Sequence, residues 1–182
     1  MNWAHVHLLI NHVPVLLIFV ALALLASTGR WKSNEVSIAS LVLLTAAAAI
    51  AGGTYLTGEP AEDVVANLPG VSKPAIEEHE EAAEAAAVAT ALAGLVAAAG
   101  LVCLYRGRQP PKWLMIAIVT AALAAAGLMA RAANLGGYIR HPEISRALGS
   151  GWPSAGHLER SPDRAPGQAG EVRPQPLEFG RR

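Results

Sequence analysis

Residues 85–105 read AAAVATALAGLVAAAGLVCLY, an apolar run that contains no Asp, Glu, Lys or Arg. A helix needs about 20 apolar residues to cross the hydrocarbon layer of a membrane, so this run is long enough to span it. The run is rich in Ala and Leu, and it lacks the alternation of apolar and polar residues that is typical of a transmembrane β-strand. Three further runs without a charged residue occupy positions 1–29, 36–58 and 113–130.

These runs predict an all-α fold, namely an integral membrane four-helix bundle formed by residues 1–149. The fourth run is the shortest, and it becomes long enough to span the membrane if Lys112 and Arg131 extend their charged ends to the membrane surface. We predict the helices at about 6–27, 36–56, 76–105 and 112–134.

Glycine, proline and asparagine mark the expected ends of these helices. Gly29 and Gly107 follow the first and third predicted helices, where residues that stop a helix are expected. Asn134 and Gly136 resemble the end of the fourth helix. Residues 56–73 contain two prolines and two glycines, and they predict a loop between the second and third helices.

The remaining composition narrows the class of protein. Residues 150–182 are rich in Pro, Gly and Arg, which predicts a disordered C-terminal tail rather than a second domain. No basic residue precedes the first apolar run, which argues against a cleaved signal peptide. The formal net charge of zero gives no indication of nucleic-acid binding. The single cysteine, Cys103, is expected in the core near a helix end.

Basic residues near the helix ends predict the orientation of the bundle. The two short loops on one side contain five of them: Arg30, Lys32, Arg106, Arg108 and Lys112. The side with both termini has four near the membrane: Lys73, Arg131, Arg140 and Arg146. Because cytoplasmic loops have the excess of Lys and Arg, this count predicts that both termini lie outside the cytoplasm.

Five of the six histidines fall on one side of the predicted bundle. His5, His7 and His12 lie at the start of the first helix, His79 lies at the start of the third, and His141 follows the fourth. Imidazole ligates haem iron, copper and zinc, and it transfers protons near neutral pH. Helix bundles build such sites from facing helices. The alternative interpretation is that these histidines are interfacial residues at the level of the lipid headgroups.

The depth of each histidine bears on which pair could bind one ligand. His12 is expected to be the deepest, inside the apolar core, just before a proline, Pro14, that loosens the helix and frees a carbonyl. His12 and His79 then differ in depth by about seven residues, or ~10 Å at the rise of a helix. His7 and His79 lie closer to one level. The sequence is compatible with two pairs of ligands. It is equally compatible with one pair of ligands and further histidines that transfer protons.

The third predicted helix places His79 at the head of a stripe of small residues. Ala83, Ala86, Ala87, Thr90 and Gly94 follow it on one face, where they permit close approach of another helix or of a flat cofactor.

An acidic face lies beside this stripe and ends at Glu84, the innermost charge, which is expected to need a partner. Arg131 and Arg140 are the candidates. A structural ion pair and a proton relay, with Glu59 as a further relay candidate, are both possible roles.

Four ordered motifs in the chain resemble an uncharacterised family of bacterial four-helix inner-membrane proteins, a domain of unknown function, some of whose relatives are associated with Rieske iron–sulfur domains. The motifs are His7-Leu-Leu-Ile-Asn-His-Val-Pro14, Gly53-Thr-Tyr-Leu-Thr-Gly-Glu-Pro60, His79-Glu-Glu-Ala-Ala-Glu84 and Ala133-Asn-Leu-Gly-Gly-Tyr-Ile-Arg-His-Pro-Glu143. The resemblance covers about residues 1–146 and omits the tail. One cysteine cannot supply a Rieske cluster, which needs two.

The resemblance implies a likeness in outline to small b-type cytochromes and to membrane anchors of redox complexes, located in the bacterial inner membrane. The positions matched by its motifs are His7, Asn11, His12, Pro14, Gly58, Glu59, Pro60, His79, Glu84, Asn134, Gly136, Gly137, Arg140 and His141.

The leading hypothesis is therefore a membrane b-type cytochrome, or a haem-bearing subunit of a redox complex, rather than a stand-alone enzyme. It would pass electrons between quinol in the lipid bilayer and a periplasmic carrier. The expected cofactor-binding residues are His7, His12, His79, His141, Asn11, Asn134, Gly136 and Arg140, of which the four histidines are the metal ligands. Non-redox binding of copper or zinc is the alternative, and a cofactor-free transport or assembly subunit is the third.

Overall fold

The computed structural model describes residues 2–31, 33–66, 68, 71 and 73–140. This part of the chain is helical and contains no strand. Its helices are α1 (Trp3–Ile10), α2 (His12–Trp31), α3 (Asn34–Leu56), α4 (Gly58–Val65), α5 (Lys73–Tyr105) and α6 (Lys112–Arg140). The predicted all-α class is confirmed for these residues, whereas the predicted disordered tail lies outside them.

The first apolar run forms two helices because a proline interrupts it. Pro14 has no N–H to donate to the carbonyl of Ile10, four residues earlier, and α1 ends at Ile10. Asn11 forms a single turn residue between α1 and α2, and its N–H still bonds the carbonyl of His7 at 2.9 Å. Helix α1 begins at Trp3, earlier than the predicted start at residue 6. The Asn2 side chain caps this helix by accepting a hydrogen bond from the N–H of His5.

The two glycines that were predicted to stop helices behave differently. Gly29 does not end α2, which continues to Trp31, so that prediction is wrong. Gly107 does follow the end of α5, with a φ of 70°. The N–H of Arg108 bonds the carbonyl of Cys103, and that of Gly107 bonds the carbonyl of Leu104, the pattern of a Schellman cap. The end of α5 uses a glycine in the left-handed backbone conformation, whereas α2 continues through Gly29.

The predicted loop at 56–73 contains a short helix, α4, that the sequence analysis missed. Pro60 lies in the first turn of α4, where the missing N–H costs nothing. Ala61 is buried, and α4 packs mainly against α1. The prolines and glycines of this segment predict a loop, and the sequence does not show the contact with α1 that accompanies the helix.

The fourth long helix extends beyond its predicted end. Neither Asn134 nor Gly136 stops α6, which reaches Arg140. Ala132 and Leu135 are buried in the core in this last part of α6. Packing against α5 therefore overrides the local preference of Asn and Gly for a helix end.

The four long helices pack as neighbours in chain order. The first of them, α2, packs against α3, α3 against α5, and α5 most extensively against α6, while α6 also contacts α2 and closes the ring. Alanines and a few larger apolar side chains fill the centre. The fully or nearly buried residues include Ile18, Ala21, Leu41, Leu44, Ala47, Ala86, Ala93, Ala97, Ile118, Ala122 and Ala125.

Two glycines of α5 allow this close approach. A methyl group on Gly94 would overlap the Cβ of Ala48 on α3. One on Gly100 would lie 3.0 Å from Cδ1 of Ile118 and 3.1 Å from Cδ1 of Leu41. Small residues at helix contacts let the backbones approach closely. In a lipid environment, this close van der Waals packing is a main source of the energy that holds helices together.

The outer surface of the bundle is apolar. Leu16, Leu95, Ile116 and Leu123 are each more than half exposed. Four helices, counting α1 with α2 as one, are long and apolar enough to cross a membrane. A water-soluble protein rarely exposes contiguous apolar surface of this extent, whereas contact with lipid tails accounts for it.

The close α3–α5 contact predicts unequal effects of one substitution at two glycines. Gly94→Ala should lower the melting temperature of the detergent-solubilised protein, because overpacking costs about 1–3 kcal/mol. Gly127→Ala on α6 is the matched control, since a methyl group there meets nothing within 4 Å. Thermal unfolding followed by circular dichroism compares the two, and equal melting temperatures would contradict the packing described.

Candidate functional site

Two short helices and the ends of three long helices lie at one end of the bundle, which we call the histidine end. It comprises α1, the C-terminal end of α3, α4, the start of α5 and the C-terminal end of α6. His7 on α1 and His79 on α5 are both half-buried there. Connectivity alone requires this arrangement, because each long helix reverses the direction of the one before it.

His7 is held by a threonine at the end of α3. Its Nδ1 lies 3.0 Å from Oγ1 of Thr57. The Thr57 hydroxyl donates its only proton to the carbonyl of Thr54 at 2.8 Å. The Nδ1–H of His7 must then be the donor to Oγ1, and the Nε2 of the neutral ring has a free lone pair. Gly58 lies next to the ring, where an added Cβ would be 3.9 Å from Cε1 of His7.

His79 is held in the same way by the backbone of α6. Its Nδ1 lies 3.0 Å from the carbonyl oxygen of Ala132. A carbonyl only accepts, so Nδ1–H donates, and the Nε2 of the neutral ring again has the free lone pair. The ring packs on Gly136, one turn further along α6, where a Cβ would lie 3.0 Å from Cε1 and 3.3 Å from Nδ1. A methyl group at this position would press against the imidazole and would require the ring to shift.

The two imidazoles lie at the same end of the bundle, His7 on α1 and His79 on α5. Asn11 is four residues after His7, on the same face of the helix. Its Oδ1 is buried and has no hydrogen-bond partner among the described residues. An unpaired buried carbonyl oxygen costs free energy, so this atom is a place where a ligand or a water molecule would gain a hydrogen bond.

His12 is not the buried histidine that the sequence predicted, and its role as a ligand stays a prediction. It is exposed, and its Nδ1 is 3.3 Å from the carbonyl of Leu8 on its own helix. The reason is the helical period: His12 follows His7 by five residues, which is about 140° around the helix axis. The buried side chain here is that of Pro14. His5 is exposed as well.

The predicted ion pair involves a different carboxylate. Nη2 of Arg131 lies 4.0 Å from Oε1 of Glu78, and both side chains are largely exposed. Such a pair contributes at most about 1 kcal/mol. Glu84, which was predicted to pair with Arg131 or Arg140, is exposed on α5. Among the described side chains, no ion pair to Glu84 is present.

The other predicted residues lie around the site or beyond the described chain. Asn134 is exposed, with its Nδ2 3.4 Å from the hydroxyl of Tyr138. Glu59 is exposed on α4. The predictions for the side chain of Arg140 and for His141 fall outside the described residues.

Sequence reasoning missed the groups that hold the two rings. Thr57 stands inside a quoted motif, but nothing in the chain alone links it to His7, fifty residues away. The carbonyl of Ala132 has no sequence signal at all. Gly136 was predicted as a helix end and as a cofactor-binding residue, but not as the residue on which the ring of His79 packs.

The chemistry of the site is that of two neutral imidazoles. Across residues 2–140, leaving aside those not described, no three His, Cys, Asp or Glu side chains gather as a metal cluster.

Comparison with protein-family models, with curated proteins and with solved structures finds no match to this chain. The resemblance to the four-helix inner-membrane family therefore stays a prediction.

The packing of His79 on Gly136 predicts that neighbouring glycines differ. Gly136→Ala should displace the ring, break its bond to the carbonyl of Ala132 and lower stability by about 1–3 kcal/mol. Gly137→Ala is the matched control, because a methyl group there meets nothing within 4 Å. Nitrogen-15 NMR of the histidine rings and the melting temperature measure both effects. A Gly136→Ala spectrum identical to that of Gly137→Ala would refute the contact.

Proposed function

We propose that this chain is a multi-pass protein of the bacterial inner membrane that binds haem b through His7 and His79. It would serve as an electron-transfer subunit of a membrane redox complex rather than as a stand-alone enzyme. One observation is the main support: both rings donate Nδ1–H to a neighbouring oxygen, which leaves both Nε2 atoms as ligands. Metal-ligating histidines almost always have their second nitrogen bonded in this way.

The residues present fit haem on three counts. A porphyrin supplies four nitrogens to its iron, so two histidines complete the ligand set. His7 and His79 come from separate helices, and helix bundles build cofactor sites from side chains on facing helices. Both rings are half-buried, which limits their contact with water on the protein side and suits a flat, largely apolar group. When bound, haem would supply one-electron chemistry.

The protein's own groups have distinct roles in this proposal. Thr57 and the carbonyl of Ala132 fix the orientation and the tautomer of the two rings. Gly136 keeps the space that His79 occupies. The unpartnered Oδ1 of Asn11 accepts a hydrogen bond from a donor that enters the site. None of these contacts requires a charged group inside the apolar part of the bundle.

The surfaces next to the site support quinol and a periplasmic electron carrier as the proposed partners. Quinol dissolves in the bilayer that the apolar outer surface would contact. Eight acidic residues and one lysine lie between positions 59 and 84, at the histidine end. A basic periplasmic electron carrier would be attracted to this surface, since complementary charge accelerates encounter. Copper or zinc remains the alternative ligand of the two imidazoles.

The haem proposal predicts that binding depends on the two half-buried histidines, His7 and His79. His7→Ala and His79→Ala should each lose most of the Soret absorbance of protein purified in detergent from cells with adequate haem. His5→Ala and His12→Ala are matched controls, because both side chains are exposed. Visible spectra of the oxidised and reduced protein, with elemental analysis, make the comparison.

Three outcomes would contradict the proposal. No Soret band and no iron in the unsubstituted protein would refute haem binding. Unchanged spectra in His7→Ala and His79→Ala would refute the choice of ligands. Copper or zinc near a one-to-one ratio would favour non-redox metal binding. Circular dichroism shows whether each variant keeps its helices, so that a lost spectrum is not a lost fold.

The orientation proposed for the chain has both termini in the periplasm. It is based on five basic residues in the two short loops against four near the membrane at the other side. A C-terminal fusion to alkaline phosphatase, which is active only in the periplasm, should therefore be active. A fusion after residue 108 should be inactive, and the reverse pattern would invert the proposed topology.

A further inference from the structure

A groove lies at the opposite end of the bundle from the histidines, which we call the basic end. It has a volume of about 550 Å³ and runs between α3 and α5. Its lining residues are Ile38, Leu101, Val102, Leu104, Tyr105 and Arg106. The lining is almost entirely apolar, and the volume falls within the range of about 300–1,000 Å³ that small-molecule sites occupy.

The lining of the groove combines aliphatic, aromatic and cationic groups. Its aliphatic members include Val102, which is exposed, and Leu101 and Leu104, which are partly buried. Tyr105, the last residue of α5, is 95% exposed, and Arg106 follows it. An aromatic ring and a guanidinium at the end of an apolar helix are typical of the layer of lipid headgroups. The groove thus combines an apolar lining with a cationic group.

Charge at the basic end is strongly asymmetric. Positions 30–35 and 106–112 contain five basic residues and one acidic residue, Glu35. The carboxylate of Glu35 accepts a hydrogen bond of 2.7 Å from the Ser33 hydroxyl, so it is engaged on its own helix end. The Schellman turn at Gly107 separates Arg106 from Arg108 by one residue and bonds the N–H of Arg108 to the carbonyl of Cys103, which holds the loop close to α5. The groove therefore opens into a region of net positive charge.

We propose that this groove is a binding site for an anionic phospholipid. Its acyl chains would lie along Ile38, Leu101 and Val102, and its phosphate would meet Arg106. Apolar contact alone would accept any lipid, so selectivity for negative headgroups would come from the guanidinium and its basic neighbours. This site lies at the end of the bundle opposite to His7 and His79, and it does not depend on haem binding.

Native mass spectrometry of the whole chain in detergent tests this proposal. The protein is titrated with phosphatidylglycerol and, separately, with phosphatidylcholine of the same chains. We expect one phosphatidylglycerol to be retained in preference to phosphatidylcholine. Arg106→Gln should reduce that preference about fivefold, the effect of one basic residue at a membrane surface. Arg131→Gln, at the histidine end, should leave it unchanged.

A second pair of variants tests the groove itself. Val102→Trp should block the groove and weaken retention of both lipids, while Leu123→Trp, an exposed position on α6, should not. Both positions face outward, so neither variant disturbs the core. Equal retention of the two lipids, or a preference that Arg106→Gln and Val102→Trp leave intact, would overturn the proposal. A chain dimer that displaces lipid and is broken by Val102→Trp would assign the groove to self-association instead.

Discussion

The close approach of α5 to α3 and α6 is the constraint on which the rest of the structure depends. Apolar side chains gain little by leaving lipid for protein, so bundle stability in a membrane comes from tight packing and hydrogen bonds between helices. Alanines and the glycines at 94 and 100 allow that packing. The same contact extends to the histidine end, where it presses the ring of His79 onto Gly136 and brings its Nδ1 to the carbonyl of Ala132.

The two histidines become a site only because other groups decide their protonation pattern. An isolated imidazole has two tautomers, and either nitrogen can bind a ligand. Thr57 and Ala132 remove that choice by accepting the proton on Nδ1 of each ring. Two oriented imidazoles at one end of the bundle, with a buried amide oxygen four residues after His7, are a more specific arrangement than five histidines on one side of the bundle. This arrangement is the reason that haem remains the preferred ligand in our proposal.

The two ends of the bundle differ in charge, and the difference separates two roles. The histidine end has the acidic residues of α4 and of the extended start of α5, which suits a basic soluble partner. The basic end has short loops, arginines and an apolar groove, which suit an anionic lipid. Chemistry is thus proposed at the histidine end, and lipid binding at the basic end.

The sequence by itself determined the helical class, the four long apolar segments and the side on which the histidines gather, because segment length, missing charges and chain direction are local properties. It also placed His79 and Gly136 among the residues of interest. Only the tertiary structure decided that His7 is a half-buried member and His12 an exposed one, that α4 is a helix, that α6 continues past Asn134, and that Arg131 faces Glu78. The physical reason is common to these cases: each depends on which side of a helix meets a neighbour distant in the sequence, and packing energy between helices overrides the weak local preferences of single residues.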